Sequence, residues 1–177
     1  AESNKEGQSG YIQAPELDGP VILDVPSPTA DLKQALKDLK SHGCCILRDA
    51  LSSNTVEALK KQLDQQYAAE QALGELCPDR GGSNKQVLPN MVNKGQHYLD
   101  LVEDANTDAI ASYLLGKHWL LSSLTAHLFV GATATPELIH RDQGQIPASI
   151  EFPALCNLFY LLDDFTPQRG STVIFPG

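Results

Sequence analysis

An imidazole and a carboxylate stand two residues apart at His140 and Asp142, with Arg141 between them in the stretch IHRDQG. On a β-strand, residues i and i+2 project to one face with Cα atoms about 7 Å apart. Side chains so placed converge on two neighbouring coordination positions of a single ion. With one more His they form the two-His-one-carboxylate set that binds Fe(II) and leaves three positions open. The triplet alone is weak, because five His in a chain of this composition produce roughly 0.4 His-x-Asp by chance. Its plain alternative is a loop His beside a solvated Asp. By strand alternation Arg141 points away from both, which suits a surface ion pair.

The elements that must carry such a pair are readable in outline. The 177 residues suit one compact domain, and 42% apolar with 20% charged residues is ordinary globular composition. Thirteen Lys+Arg against twenty-two Asp+Glu leave a formal charge of −9, which argues against nucleic acid and anionic lipid as partners. Residues 119–136 carry no formal charge, yet Ser122, Ser123, Thr125, His127, Thr133 and Thr135 make them too polar for a membrane span. The opening AESNKEGQSG has neither a basic nor an apolar signal region, so the expected compartment is cytoplasmic. The four cysteines, Cys44, Cys45, Cys77 and Cys156, form no C-x-x-C pair and read as reduced, buried small hydrophobes.

Residues 1–28 form a polar, Pro- and Gly-punctuated segment with a short extended piece at 21–23; the domain proper is 29–177. A helix is expected over 29–42, with Leu32, Ala35, Leu36 and Leu39 on one face and Gly43 ending it. A buried strand at 44–47 follows. A second helix starts near Asn54, capped by Asn54 with Glu57, and turns Val56, Leu59 and Leu63 inward. Residues 78–93 read as a long loop, and short helices as covering 98–102 and 107–115. Beta-favouring runs then dominate at 119–124, 125–130, 138–140, 155–161 and 172–175. Helices first and strands later imply an α+β domain whose N-terminal helices cover a sheet or roll.

Within that order, LPNMVNKGQHYLDLVED and ASYLLGKHWLLSS precede IHRDQG, and NLFYLLDDFTPQRGSTVIFPG follows it. This succession resembles the phytanoyl-CoA dioxygenase family of Fe(II)- and 2-oxoglutarate-dependent oxygenases from about residue 30 onward. The family's His-x-Asp, strand, Asp-Asp-x-Thr turn and Gly-(Ala/Ser)-Thr strand match His140/Asp142, 155–161, Asp163-Asp164-Phe165-Thr166 and Gly170-Ser171-Thr172. The resemblance implies a double-stranded β-helix, or cupin-like jelly roll, with N-terminal helices packed on one sheet. It implies Fe(II) held by His140 and Asp142, with 2-oxoglutarate as co-substrate. The reaction it implies is hydroxylation of an aliphatic C–H bond in a small molecule by O2, with succinate and CO2 as co-products.

Further site residues follow from the same resemblance. Asn157 and Thr172 are placed to hydrogen-bond 2-oxoglutarate, with strand packing as their alternative. His127, opposite the Leu124/Leu128 face, is a candidate to line the cavity and touch co-substrate or replace a ligand, with a hydrogen-bonded interior or surface His as the favoured alternative. Glu137 stands where the family commonly has Gln, which sets a carboxylate near an anionic co-substrate. The family's second metal His lies two residues beyond Pro-Gly, whereas the sequence given closes at Pro176-Gly177. The family's last strands and its co-substrate Arg lie further on. The expectation is therefore a fragment or a degenerate copy, inactive by itself. Two alternatives use the same residues: a binding module without turnover, and a cupin-like isomerase or hydrolase built on His127, His140 and Asp142. Asp163 and Asp164 read as turn-formers, His42, His97 and His118 as surface residues, and Trp119 as core.

Overall fold

In the computed structural model, the described residues are 25–78, 85–129, 140–144, 146–147, 152–166, 169 and 171–174. The expected extended piece at 21–23, the turn at 131–136, Glu137 and Pro176-Gly177 lie outside them. The first helix, α1, spans Leu32–His42. The Asp31 carboxylate caps it, accepting from the Lys33 N–H at 2.9 Å. Gly43, left-handed at φ 72°, ends it by donating its N–H to the Leu39 carbonyl, as the sequence implies. The helix starts three residues later than expected because Thr29 is used elsewhere. Its backbone pairs with Ile46 and Arg48 around a single parallel Thr29–Leu47 bridge. That bridge is all that forms of the strand expected at 44–47; Ile46 is exposed there, and Cys44 and Cys45 are only half-buried.

The long helix α2, Ser53–Leu73, is capped by Ser52 rather than Asn54. Ser52 Oγ accepts the Thr55 N–H at 3.1 Å, a standard three-residue reach, so Asn54 falls inside the first turn. Leu59 is fully buried from its inward face, with Leu63 beside it. Three short strands, β1 (Cys77–Pro78), β2 (Lys85–Leu88) and β3 (Ala126–Phe129), form an antiparallel sheet in that order. Lys85 faces Phe129 and Leu88 faces Ala126, and a Met91 N–H to Leu124 carbonyl bond extends the β2–β3 contact. β2 and the 3-10 turn Met91–Asn93 lie inside the segment read as loop. Lys85 and Gln86 are poor strand formers, so pairing with β1 and β3 on either side makes this stretch a strand.

Helix α3 (Gln96–Val102) begins directly after Gly95, and α4 (Ala105–Leu115) is capped by Asp104. The core is Leu59, Leu88, Met91, Tyr98 and Leu101, joined by Leu124, Ala126, Leu128, Tyr160 and Leu162. Helices α2 and α3 thus cover one face of the sheet. β3 alternates as expected, with Ala126 and Leu128 toward the helices and His127 and Phe129 outward. The α+β character holds, but no jelly roll closes among the described strands. Among the described residues, 119–124 and 155–161 form no ladder. Trp119 is half-buried rather than core, its indole N–H donating to Asp108 at 3.0 Å. In 155–161 alternation survives without pairing: it sets which side chains face inward, whereas a strand also needs a neighbour to bond.

Two polar features lock the α2–α3 seam. Gly95 has φ 147°, and a Cβ there would stand 2.0 Å from the Gln62 amide nitrogen, which itself donates to the Lys94 carbonyl. The Lys94 ammonium pairs with the buried Glu70 carboxylate, which also accepts from Gln66 at 2.8 Å. Burial pushes the Glu70 pKa up, but the Lys94 and Gln66 hydrogen bonds outweigh it and hold the carboxyl below its ordinary 4.5. Gly95→Ala is therefore expected to cost about 1–3 kcal/mol in urea unfolding. Because the folded-state pKa is lowered, the Glu70 contribution is complete above pH 4.5 and lost as pH falls through the depressed value. Glu70→Gln should lower stability at neutral pH and flatten its decline below 4.5, measured by denaturation across pH 3–7.

Candidate metal centre

Residues 140–144 form a turn rather than a strand end, closed by Gly144 N–H to Arg141 carbonyl at 3.0 Å. The turn still brings the predicted pair together: His140 Nε2 lies 3.2 Å from Asp142 Oδ1. The convergence arises from chain reversal, not from two-residue strand alternation. Both side chains are about half-exposed, 42% and 50%. Arg141 between them is exposed.

The turn is held from one side by the extended segment 152–166. Gln143 donates through Nε2 to the Phe152 carbonyl at 3.0 Å, and its Oε1 accepts the Ala154 N–H at 2.9 Å. One side-chain amide thereby makes both bonds that a paired strand residue would make. Asn157 Nδ2 donates to Asp142 Oδ2 at 2.5 Å. Thus the residue expected to hydrogen-bond a co-substrate binds instead the carboxylate beside His140.

Segment 152–166 is in turn anchored to the helices. Tyr160 packs against the core, and its hydroxyl lies 2.5 Å from Thr107 Oγ1 and 3.2 Å from the Leu101 carbonyl. Thr107 Oγ1 reaches the same carbonyl at 2.8 Å. Burial raises the Tyr160 pKa, so the phenol stays protonated as a donor. Lys60 of α2 pairs with Asp163 at 2.6 Å, and that bond holds the ammonium pKa above its ordinary value. Asp163 sits at a bend, and Thr166 accepts backbone bonds from Arg169 and Ser171, so a turn closes as the sequence implies. Sequence reading missed Gln143, Tyr160 and Lys60 as supports. Only Tyr160 carried a signal, a hydroxyl within an otherwise apolar run.

The other predicted residues are not gathered here. His127 is exposed on β3 with Thr125 Oγ1 3.3 Å from its Nε2. Among the described residues no group of three His, Cys, Asp or Glu side chains forms a metal cluster. The isomerase or hydrolase alternative needed His127, His140 and Asp142 together, and the structure does not assemble them. Thr172 is exposed and makes no hydrogen bond to His140, Asp142 or Asn157. Cys156 is half-buried and unbridged, as are Cys44 and Cys45. Burial raises all three thiol pKa values, which keeps them protonated and unreactive. An open groove of about 520 Å³ lies elsewhere, lined by Leu51, Ser52, Thr55, His97, Asp100 and Asp104.

Two ligands each about 2.1 Å from one ion and at right angles lie about 3.0 Å apart. The 3.2 Å His140–Asp142 separation fits that requirement, and imidazole with carboxylate is a donor set suited to Fe(II). The described structure is thus a helix-covered antiparallel sheet with a His140–Asp142 pair held in a separate turn.

The sequence model of the phytanoyl-CoA dioxygenase (PhyH) family, whose fold is cupin-like, matches residues 39–177. The chain belongs to that family. It is similar to the dioxygenase aneA of Aspergillus aculeatus, 26% identical over 156 residues, covering 80% of this chain and 52% of the relative. It is also similar to the dioxygenase af480 of Aspergillus fumigatus, 25% identical over 179 residues, covering 94% of this chain and 54% of the relative. The chain thus spans about half the length of these curated relatives. No solved structure matches it.

The Tyr160 anchor is testable directly. Tyr160→Phe keeps the ring but removes a hydroxyl from the Leu101 carbonyl, and should cost about 0.5–1.5 kcal/mol. Hydrogen exchange should accelerate in 152–166 before it does in α2.

Proposed function

We propose that this chain carries the metal-binding part of an Fe(II)- and 2-oxoglutarate-dependent oxygenase that hydroxylates an aliphatic C–H bond of a small molecule. The observation that carries the reading is the His140 Nε2–Asp142 Oδ1 pair at 3.2 Å, held in a turn by segment 152–166. Membership of the phytanoyl-CoA dioxygenase family and likeness to two proteins named dioxygenases support it. The balanced reaction is R–H + 2-oxoglutarate + O2 → R–OH + succinate + CO2. Ferrous iron with 2-oxoglutarate supplies the oxidising chemistry that no protein side chain provides.

The chain's own residues bind and orient. His140 and Asp142 offer adjacent donors and leave the opposite side of an ion open. Gln143 keeps the turn from relaxing, and Asn157 holds the Asp142 carboxylate. Phe159 and Leu161 share Asn157's side of the extended segment, opposite Tyr160 and Leu162, so apolar side chains accompany the polar one. That neighbourhood suits a substrate offering C–H bonds rather than charge. The net charge of −9 supports a role away from nucleic acid and anionic lipid. No helix among the described residues is long and apolar enough to cross a membrane.

The second reading is a binding module without turnover, favoured by the half exposure of both donors and by a described donor set of only two. One experiment separates the readings. Full-length protein carrying this sequence should release succinate from 2-oxoglutarate when Fe(II) is added. His140→Ala and Asp142→Ala should each lower the rate by more than the roughly 10–100-fold that losing an outer-sphere partner costs. Succinate release that persists in both variants excludes these residues as ligands. Metal binding without succinate release selects the binding module.

A further inference from the structure

Asn157 is exposed, polar and within an otherwise apolar run, and it spends its amide on one oxygen of Asp142. The two carboxylate oxygens of Asp142 are therefore unequal. Oδ2 accepts from Asn157 at 2.5 Å, while Oδ1 is turned to His140 Nε2 at 3.2 Å. An ionised carboxylate accepts only, and a short bond to one oxygen fixes rotation about the carboxyl axis. From this we infer that Asn157 is a positioning residue: it occupies Oδ2 so that Asp142 presents Oδ1 alone, as a single-oxygen ligand beside His140. The inference deepens the oxygenase reading and rests on it.

The geometry favours this role over a merely structural one. The Asn157 amide bonds nothing else among the described residues, and the turn already has two bonds from Gln143. Removing Asn157 would leave the turn tied and would release one carboxylate oxygen. A freed Asp142 can rotate, or offer both oxygens to an ion and take a coordination position otherwise open. Its neighbour Cys156 is half-buried and Leu158 lies on the opposite parity, so position 157 alone in this stretch reaches Asp142.

The test uses Co(II), an oxygen-stable substitute for Fe(II), whose visible absorption depends on ligand number and geometry. Full-length protein, its Asn157→Ala, Asn157→Asp and Asn157→Ser variants, and the Asp142→Ala control are titrated by calorimetry and absorption. Asn157→Ala should weaken Co(II) binding about 10–100-fold and shift the absorption bands. Asn157→Asp, isosteric but without a donor and of like charge, should weaken it at least as much. Asn157→Ser, which keeps a donor, should recover part of the affinity and the original bands. Thermal unfolding of each variant is followed alongside, and an unchanged midpoint shows that the loss is local. Unchanged affinity and bands in both Asn157→Ala and Asn157→Asp overturn the positioning role while leaving the metal pair intact. Failure of the unsubstituted protein to bind Co(II), or equal binding by Asp142→Ala, overturns the oxygenase reading and this one with it.

Discussion

The Leu101 carbonyl carries more of this structure than its size implies. It belongs to the last turn of α3, where a helix leaves its final carbonyls without backbone partners. Thr107 of α4 and Tyr160 of the extended segment bring two hydroxyls to it. Each hydroxyl has one hydrogen, so one donates to the carbonyl and the other to its neighbour, and all three buried polar groups are satisfied together. Leaving any of them unpaired would cost about 1–3 kcal/mol. The same contact fixes the α3–α4 corner and sets the position of residues 152–166. Asn157 is three residues from Tyr160 and Ala154 six, so the supports of the His140–Asp142 turn hang from this one junction.

Side chains do here what a β-ladder does elsewhere. Segment 152–166 alternates, with Tyr160 and Leu162 in the core and Phe159 and Leu161 exposed, but carries no strand pairing among the described residues. Its hold on the rest is the Tyr160 hydroxyl, the Lys60–Asp163 pair, the two bonds of Gln143 and the Asn157–Asp142 bond. The Lys60–Asp163 pair is exposed, and such pairs contribute little. Burial of Tyr160 and Leu162 therefore supplies the attachment, and the polar contacts supply the register.

That division explains what was legible in the residues. Helical faces are written locally: the stripe of α1 and its Gly43 stop follow from spacing and from one residue able to turn left-handed. The alternation of β3 is local too, and Ala126, His127, Leu128 and Phe129 face as it implies. β2 was not legible, because Lys85-Gln86-Val87-Leu88 becomes a strand through bonds to β1 and to a segment some forty residues away. The strand expected at 155–161 fails for the mirror reason, having the right side chains but no described partner. At the site, His140 and Asp142 lie beside each other, but a turn joins them and not the strand from which the spacing argument began. The partner of Asn157 was beyond reach. A sequence shows that an amide lies near a carboxylate in the fold's logic, but not which of two acceptors it meets.

A half-exposed His–Asp pair gives little stability, since water competes for both groups. If the turn existed only to close the chain, the backbone bonds from Gly144 and Ile146 would suffice. Gln143 and Asn157 add three side-chain bonds, each of which costs conformational freedom to hold an exposed residue in place. That ordering has an evident return where two donors must keep a fixed separation before anything binds them, because the entropy is then lost on folding and not on binding. A pair restrained at 3.2 Å is already near the spacing two adjacent ligands of one ion require. The restraint, more than the identity of either residue, is the observation on which the proposed metal site rests.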